Sequence, residues 1–408
     1  MTLVEHQAQA EKDQRQGLPY MLRRAIDMAE PGIPGRLQLR LWDGRQVVIG
    51  NGKPGRISDI CVHNPKLFSR LFSEGWLGFS EAYLEGWWST DDLQGFMDHM
   101  HEADLETYDS FTGGWVSKLI NFLTHYLRSN SRRQARKNIS YHYDLGNDFY
   151  AEWLDDTMTY SSAIFDTGQE SLEAAQTRKY ASMIDQMGAQ PGDHILEIGC
   201  GWGGFAEYAA KERGMRVTGL TISKEQLKYA QERIEKAGVS DLVTLKLQDY
   251  RDERGTYDGI ASIEMFEAVG EKYWPVYFKT VFERLKPGKT ATFQIITVED
   301  ARFEAYRNEV DFIQKYIFPG GMLPSPTALR QQVNQAGLRV VRSIEFGKSY
   351  SQTLRRWHET FNARWPRIEQ MGFDARFQRM WNFYLTSCAA TFEHGNCDVT
   401  QLTVTRPV

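Results

Sequence analysis

The stretch His194-Ile-Leu-Glu-Ile-Gly-Cys-Gly-Trp-Gly-Gly-Phe205 decides the fold. An apolar run of strand length gives way to four glycines and then to helix-forming residues, which reads as a buried strand, a tight turn and a helix start. Glycines at 199, 201, 203 and 204 let the backbone turn sharply and leave no Cβ in the way of a ligand. Gly199, Gly201 and Gly204 also satisfy the GxGxxG spacing of dinucleotide sites. Such a site expects an acid about 20 residues further on to hold the ribose, and here that region reads Gly219-Leu-Thr-Ile-Ser223. Ahead of the glycines stands Glu197, whose carboxylate repels a pyrophosphate and suits a cationic group.

Outward from this turn the chain alternates short apolar runs with helical stretches, the pattern of an α/β domain with a mainly parallel sheet. Strands are expected at His194 to Ile198, Arg216 to Leu220, Val243 to Leu247, Gly259 to Ile263, Ala291 to Ile296, Arg339 to Phe346 and Val399 to Val404. Helices are expected at Phe205 to Arg213, Lys224 to Lys236, Tyr273 to Leu285 and Pro326 to Ala336. Two aromatic-rich segments, Arg302 to Phe318 and Ser351 to Phe392, interrupt the rhythm and are expected to roof a pocket above the sheet.

Before this domain, Arg36 to Gly50 alternates around Asp43-Gly44, a hairpin signal. Asn64 to Gly75 has helical spacing, and glycines in the following GWLGFSEAYLEGWW are expected to break it into short pieces. The organisation expected is a polar tail (1–17), an α+β accessory domain (18–110), a basic amphipathic linker (111–140) and the α/β domain (141–408). In the linker, Trp115, Leu119, Phe122, Leu123 and Leu127 share nearly one helical face, as in an interfacial helix. Arg128, Arg132, Arg133, Arg136 and Lys137 follow with no acid among them, a local attraction for anionic headgroups.

The whole chain, 408 residues with 48 Lys and Arg against 53 Asp and Glu, lacks the basic excess of a dedicated nucleic-acid binder. Four cysteines, Cys61, Cys200, Cys388 and Cys397, form no CxxC, so neither a disulfide framework nor a metal site is expected. The polar N-terminus lacks a secretory pattern, and no apolar run approaches the length of a membrane span. A cytoplasmic protein is expected.

The LEIGCGWGGFA string resembles the glycine motif of class I S-adenosylmethionine-dependent methyltransferases, built on a Rossmann-like seven-stranded sheet. The resemblance implies that Gly199, Gly201 and Gly203 flank the methionine part of S-adenosylmethionine. It further implies that Thr221, Ser223 or Gln226 serves the ribose, and that Gln248 and Asp249 border the adenine. Tyr160, Ser161 and Cys200 belong to the same expected cofactor set.

YHYDLGNDFYAEWLDDTMTYSSAIF (141–165), SIEMFEAVG around Glu267, GLTISKEQLKYAQERI (219–234), KYIFPGGMLPS (315–325) and YLTSCAATF (384–392) together resemble the cyclopropane fatty acid synthases. That resemblance implies methyl transfer to the cis double bond of an unsaturated phospholipid acyl chain, through a carbocation, at the inner face of a membrane, and a homodimer. Such a cation needs negative charge and π faces, for which Glu267, Tyr350, Phe149, Tyr160 and Trp153 are candidates. A bicarbonate held beside Glu267 takes the proton in the family. Its ligands commonly include Cys where this chain has Ser162, His where it has Ala268, and His or Gln at Gln294, while Tyr350 matches the remaining one. The side chains of Ser162 and Gln294 can still donate to an anion. A weakened or moved base leaves the product open between a cyclopropane and a methyl- or methylene-branched chain. Two other activities fit the motifs less well: methylation of a soluble small molecule, and lipid binding without catalysis.

Overall fold

A computed structural model describes residues 17–103 and 145–408, and these form two compact units. The basic segment and interfacial helix expected between 111 and 140 lie outside the described residues, as do residues 141–144.

The first unit carries the expected hairpin, β1 (Arg36–Arg40) and β2 (Gln46–Ile49), joined by β3 (Ile57–Val62) and β4 (Trp88–Ser89) in the order β2-β1-β3-β4. Within Lys66–Leu84 two helical pieces meet at Gly75, whose φ of 61° is not helical, so the stretch is broken at a glycine as expected; the second piece runs on through Gly78 without a further break. Trp88 anchors this unit: its Nε1–H donates to the Phe79 carbonyl at 2.9 Å and its ring stacks on Phe79 at 4.5 Å. Gly372–His394, carrying the helix Ala375–Glu393, belongs to this unit. Arg379 Nε donates to the Leu84 carbonyl at 2.7 Å and Phe383 meets Tyr83 at 5.7 Å between ring centroids. The later part of the segment expected to roof the sheet is thus spent on the accessory unit.

The second unit is a seven-stranded sheet of β5 (His194–Ile198), β6 (Arg216–Thr221), β7 (Val243–Leu247), β8 (Tyr257–Ile263), β9 (Leu285–Val298), β10 (Arg339–Glu345) and β11 (Cys397–Thr405). Their order is β10-β11-β9-β8-β5-β6-β7, and β11 alone runs against the others. Every expected strand is present. The parallel strands β5, β6 and β8 are buried nearly throughout, which is why they read as continuous apolar runs.

Two apolar layers clamp the sheet. One face packs Phe266, Trp274, Tyr277, Phe278 and Val281 against Phe293 and Ile295. The other packs Tyr180, Met183, Phe205 and Ala206 against Ile195 and Val217. Both layers leave the carboxyl ends of the parallel strands open to the turns that follow, the place where ligands bind in sheets of this kind. Phe278 is fully buried, with its ring edge-on to Phe293 at 5.8 Å and tilted against Phe266 at 5.2 Å. Phe278→Ala is expected to cost about 3–5 kcal/mol, read by denaturant unfolding. A loss below about 1 kcal/mol, the scale of an ordinary surface change, contradicts this packing.

Candidate active site

The site is assembled from three turns at the carboxyl ends of β5, β6 and β8, together with the segment Asp155–Ser162 and the helix Gly347–Gln370. After β5, Gly199, Gly201 and Gly203 all have positive φ (84°, 49° and 83°), which favours glycine. A Cβ on Gly199 would meet Met265 Cγ at 2.7 Å, whereas one on Gly201 would meet nothing within 4 Å. The turn is therefore packed on its inner side and open on the other. Trp202 Nε1–H ties the turn to Asn147 Oδ1 at 2.8 Å.

Glu197 is 3% exposed, and its Oε2 is buried with no hydrogen-bond partner. Burial pushes its carboxyl up to about 8, against the pull of Arg233 and Lys179. An orphaned acidic oxygen beside an open glycine turn fits a cofactor with a cationic end. S-adenosylmethionine would be held here by Glu197 and the glycine backbone, and it supplies an electrophilic methyl on a sulfonium. Ser223 caps the helix Lys224–Lys236 through the Gln226 N–H at 3.3 Å, and Thr221 Oγ1 donates to Gln226 Oε1 at 3.0 Å, so these three ribose candidates form one preset group. Asp249 is held in a two-point pair with Arg251 (2.8 and 2.6 Å), and Gln248 Nε2 donates to Glu253 at 3.0 Å. Cys200 is buried, and burial pushes its thiol well up.

Beside the cofactor end lies an aromatic box. Tyr160 meets Tyr150 at 5.4 Å, Trp153 at 5.5 Å and Trp357 at 5.4 Å, while Trp357 is edge-on to Trp153 at 5.7 Å and to Tyr350 at 6.1 Å. Phe149 touches the box through Trp153 at 5.9 Å. The structure brings together the four aromatic candidates chosen from sequence and adds Tyr150 and Trp357. Trp357 has no local motif to mark it; only its place one helical face along from Tyr350 hints at it.

The carboxylates occupy the turn after β8. Glu267 Oε1 accepts the Ile296 N–H at 2.6 Å, and its Oε2 is buried without a partner. Burial, then the nearby Glu264, pushes its carboxyl up to about 8. Ser162, Gln294 and Tyr350 do come together, but around Glu264. The Ser162 N–H and Gln294 Nε2 each donate to Glu264 Oε1 at 2.8 Å, and the Tyr350 side chain hydrogen-bonds the same carboxylate. The Ser162 hydroxyl, expected to replace a thiol donor, is turned to the Ala163 carbonyl at 2.9 Å; the main chain donates in its stead.

Glu264 is the residue that sequence reasoning missed. It has φ of 47°, and it and Met158 are the non-glycine residues with positive φ among the described residues. Such conformations cost about 1–3 kcal/mol and gather at functional sites. Lys179, fully buried, donates from Nζ to Ser161 Oγ and Gln176 Oε1, both at 2.6 Å. Burial lowers its ammonium, while Glu264, Asp155 and Glu197 favour the charged form. Burial raises the Glu264 carboxyl, and Lys179, Gln294, Ser162 and Tyr350 hold it down. Glu264 receives three donors and Glu267 two, the Ile296 N–H and its own, so of the two carboxyls Glu264 is the better placed to hold charge and Glu267 to hold the proton.

A mainly parallel seven-stranded sheet with a glycine turn, an orphaned acid and an adjoining aromatic box defines an S-adenosylmethionine-dependent methyltransferase of class I. A profile of the mycolic acid cyclopropane synthetase family matches residues 130–402, and the chain belongs to that family. It is 38% identical over 390 residues to the tuberculostearic acid methyltransferase UfaA1 of Mycobacterium tuberculosis, covering 91% of this chain and 88% of that protein. It is 37% identical over 363 residues to the cyclopropane-fatty-acyl-phospholipid synthase of Escherichia coli K12, covering 86% of this chain and 88% of that one. Among solved structures, the mycolic acid cyclopropane synthase CmaA1 complexed with SAH and CTAB superposes with a TM-score of 0.62 at 29% identity, covering 66% of this chain and 97% of that chain.

The proton on Glu267 makes a thermodynamic prediction. With a folded value near 8 against an ordinary 4.5, its contribution to stability is fully present below about 4.5 and is lost as pH climbs towards 8. Glu267→Gln keeps the shape and cannot ionise. Its stability relative to the native cofactor-free protein should therefore rise between pH 5 and 8, by at most about 1.4 kcal/mol per pH unit. Urea midpoints of the two proteins that stay parallel across this window contradict the assignment.

Proposed function

We propose that this methyltransferase acts on the cis double bond of unsaturated acyl chains in membrane phospholipids. The observation that carries the reading is the aromatic box of Tyr150, Trp153, Tyr160, Tyr350 and Trp357 closing beside the Glu264 and Glu267 carboxylates. An isolated alkene is a weak, neutral nucleophile with no acidic proton, so the enzyme contributes mainly position. Holding the reacting carbons in a near-attack pose is worth up to about 7–11 kcal/mol.

Attack leaves a cation on the chain, and each wall of the site answers that charge. The faces of Tyr160 and Trp153 and the edge-on ring of Trp357 surround it with π density and exclude water. The Glu264 carboxylate supplies the negative charge, and the Glu267 carboxyl, held by the Ile296 N–H, lies on the same turn as a polar partner. The names of the relatives point the same way, to fatty acyl and phospholipid substrates.

Peripheral contact with an anionic membrane face is part of this reading, since the substrate is embedded in a bilayer. Among the described residues no helix is long and apolar enough to cross a membrane. The basic cluster of Arg128, Arg132, Arg133, Arg136 and Lys137 offers about 1 kcal/mol of attraction per residue near anionic lipid. Self-association through the accessory unit is suggested by family likeness.

Two experiments test the reading. Labelled methyl from S-adenosylmethionine should enter vesicles of unsaturated phospholipid and not vesicles of the saturated analogue. Glu267→Ala should lower that incorporation by about 10²–10³-fold while leaving S-adenosylmethionine affinity nearly unchanged by calorimetry; near-native incorporation removes Glu267 from the mechanism. Separately, an Arg132, Arg133, Arg136 triple-alanine variant should sediment less with anionic vesicles, and undiminished sedimentation removes the basic cluster from docking.

A further inference from the structure

The residues that the family likeness assigns to a free bicarbonate do not fit that role in this chain, because a carboxylate of the chain already holds them. Glu264 Oε1 takes the Ser162 N–H and the Gln294 amide, both at 2.8 Å, and the Tyr350 side chain bonds the same group. A second anion at this point would meet the charge of Glu264 with its donors spent, an arrangement that like-charge repulsion disfavours.

We propose that the Glu264 carboxylate is the proton acceptor of the reaction, standing where a free bicarbonate would otherwise be held. The proposal rests on the methyl-transfer reading above and deepens it.

Three features of the surroundings build Glu264 for this task. Gln294 is fixed so that its N–H end must face the carboxylate: Nε2 also donates to the Ser162 carbonyl at 3.1 Å, and Oε1 accepts from Gln401 Nε2 at 3.0 Å. Gln401 is itself oriented by Ser182 Oγ, at 2.7 Å from Oε1, and by the Lys179 carbonyl, at 3.4 Å from Nε2. The second feature is charge: burial raises the Glu264 carboxyl, which suits a proton acceptor, while Lys179 and the three donors to Glu264 favour its ionised form. Third, Tyr350 bonds Glu264 and also stands edge-on to Trp357, so the acceptor borders the box in which the cation forms.

The step balances with the groups present. The alkene π pair forms the new C–CH3 bond as the S–CH3 bond breaks, leaving a neutral thioether and a carbocation. A C–H bond of the new methyl then gives its proton to Glu264. Its electron pair closes the three-membered ring or, after a hydride shift, makes an exocyclic C=C. Glu264 leaves the step as a neutral carboxylic acid and returns its proton to solvent.

The test has a kinetic arm and a binding arm. In buffer freed of carbon dioxide, the native protein should methylate unsaturated phospholipid vesicles as fast as in buffer with added bicarbonate. Glu264→Gln should lose about 10²–10⁴-fold, the range of a general base, with S-adenosylmethionine affinity preserved as the sign that it folds. In the binding arm, 13C-bicarbonate should show no saturable line broadening with native protein and should gain it with Glu264→Ala, whose vacated space keeps the donors of Ser162, Gln294 and Tyr350. Loss of native turnover on removing bicarbonate, near-native turnover of Glu264→Gln, or saturable bicarbonate binding by the native protein overturns the proposal. A native protein that methylates no lipid at all defeats the methyl-transfer reading instead, and the binding arm still decides the place of the anion.

Discussion

Two carboxylates three residues apart, withdrawn from water on one turn, share donors enough for a single charge. That constraint organises the site. Glu264 receives the Ser162 N–H, the Gln294 amide and Tyr350, whereas Glu267 receives two main-chain donors, the Ile296 N–H and its own. The asymmetry leaves one anion and one neutral acid, and the surroundings are arranged to keep it so. Lys179 is buried without a direct carboxylate hydrogen bond, held by Ser161 and Gln176, so its charge acts over the whole cluster of Glu264, Asp155 and Glu197. The left-handed backbone at Glu264 is the conformational cost of turning its side chain back onto β9 at Gln294.

The same constraint ties the cofactor end to the substrate end. Ser161 accepts from Lys179, and the next residue, Ser162, donates its N–H to Glu264. Two residues earlier in this segment, the Thr159 hydroxyl bonds Tyr180 at 2.7 Å, and the Thr157 carbonyl accepts from Arg233 at 2.6 Å. A short irregular stretch is thereby pinned to two helices of the sheet unit while its Tyr160 ring enters the aromatic box. Site residues supported in this way are held within the small tolerances that positioning catalysis demands.

Most of the sheet could be read from the chain because parallel strands buried on both faces leave unbroken apolar runs, and Lys224–Lys236 because Ser223 and its first turn carry plain capping signals. The glycine turn and Glu197 were legible for a similar reason, since charge and missing Cβ atoms speak for themselves. Glu264 was not, because a glutamate at the end of a strand carries no mark of a left-handed backbone, and its neighbour Glu267 matched the family motif. Its donors lie about 100, 30 and 86 residues away along the chain, a convergence that only the tertiary fold creates. Ser162 contributes through its main chain, which no side-chain argument reaches. Helix Ala375–Glu393 reads as amphipathic, but periodicity names no partner, and the structure gives it to the accessory unit.

The assignment of one proton to this pair is open to direct observation by infrared difference spectroscopy of the native protein against Glu267→Gln at neutral pH. A protonated-carboxyl C=O band is expected in the native protein and is expected to vanish in the variant, with the ionised-carboxylate bands unchanged. Loss of carboxylate intensity in place of that band would mean that Glu267 is ionised, and the division of charge on which the site depends would be wrong.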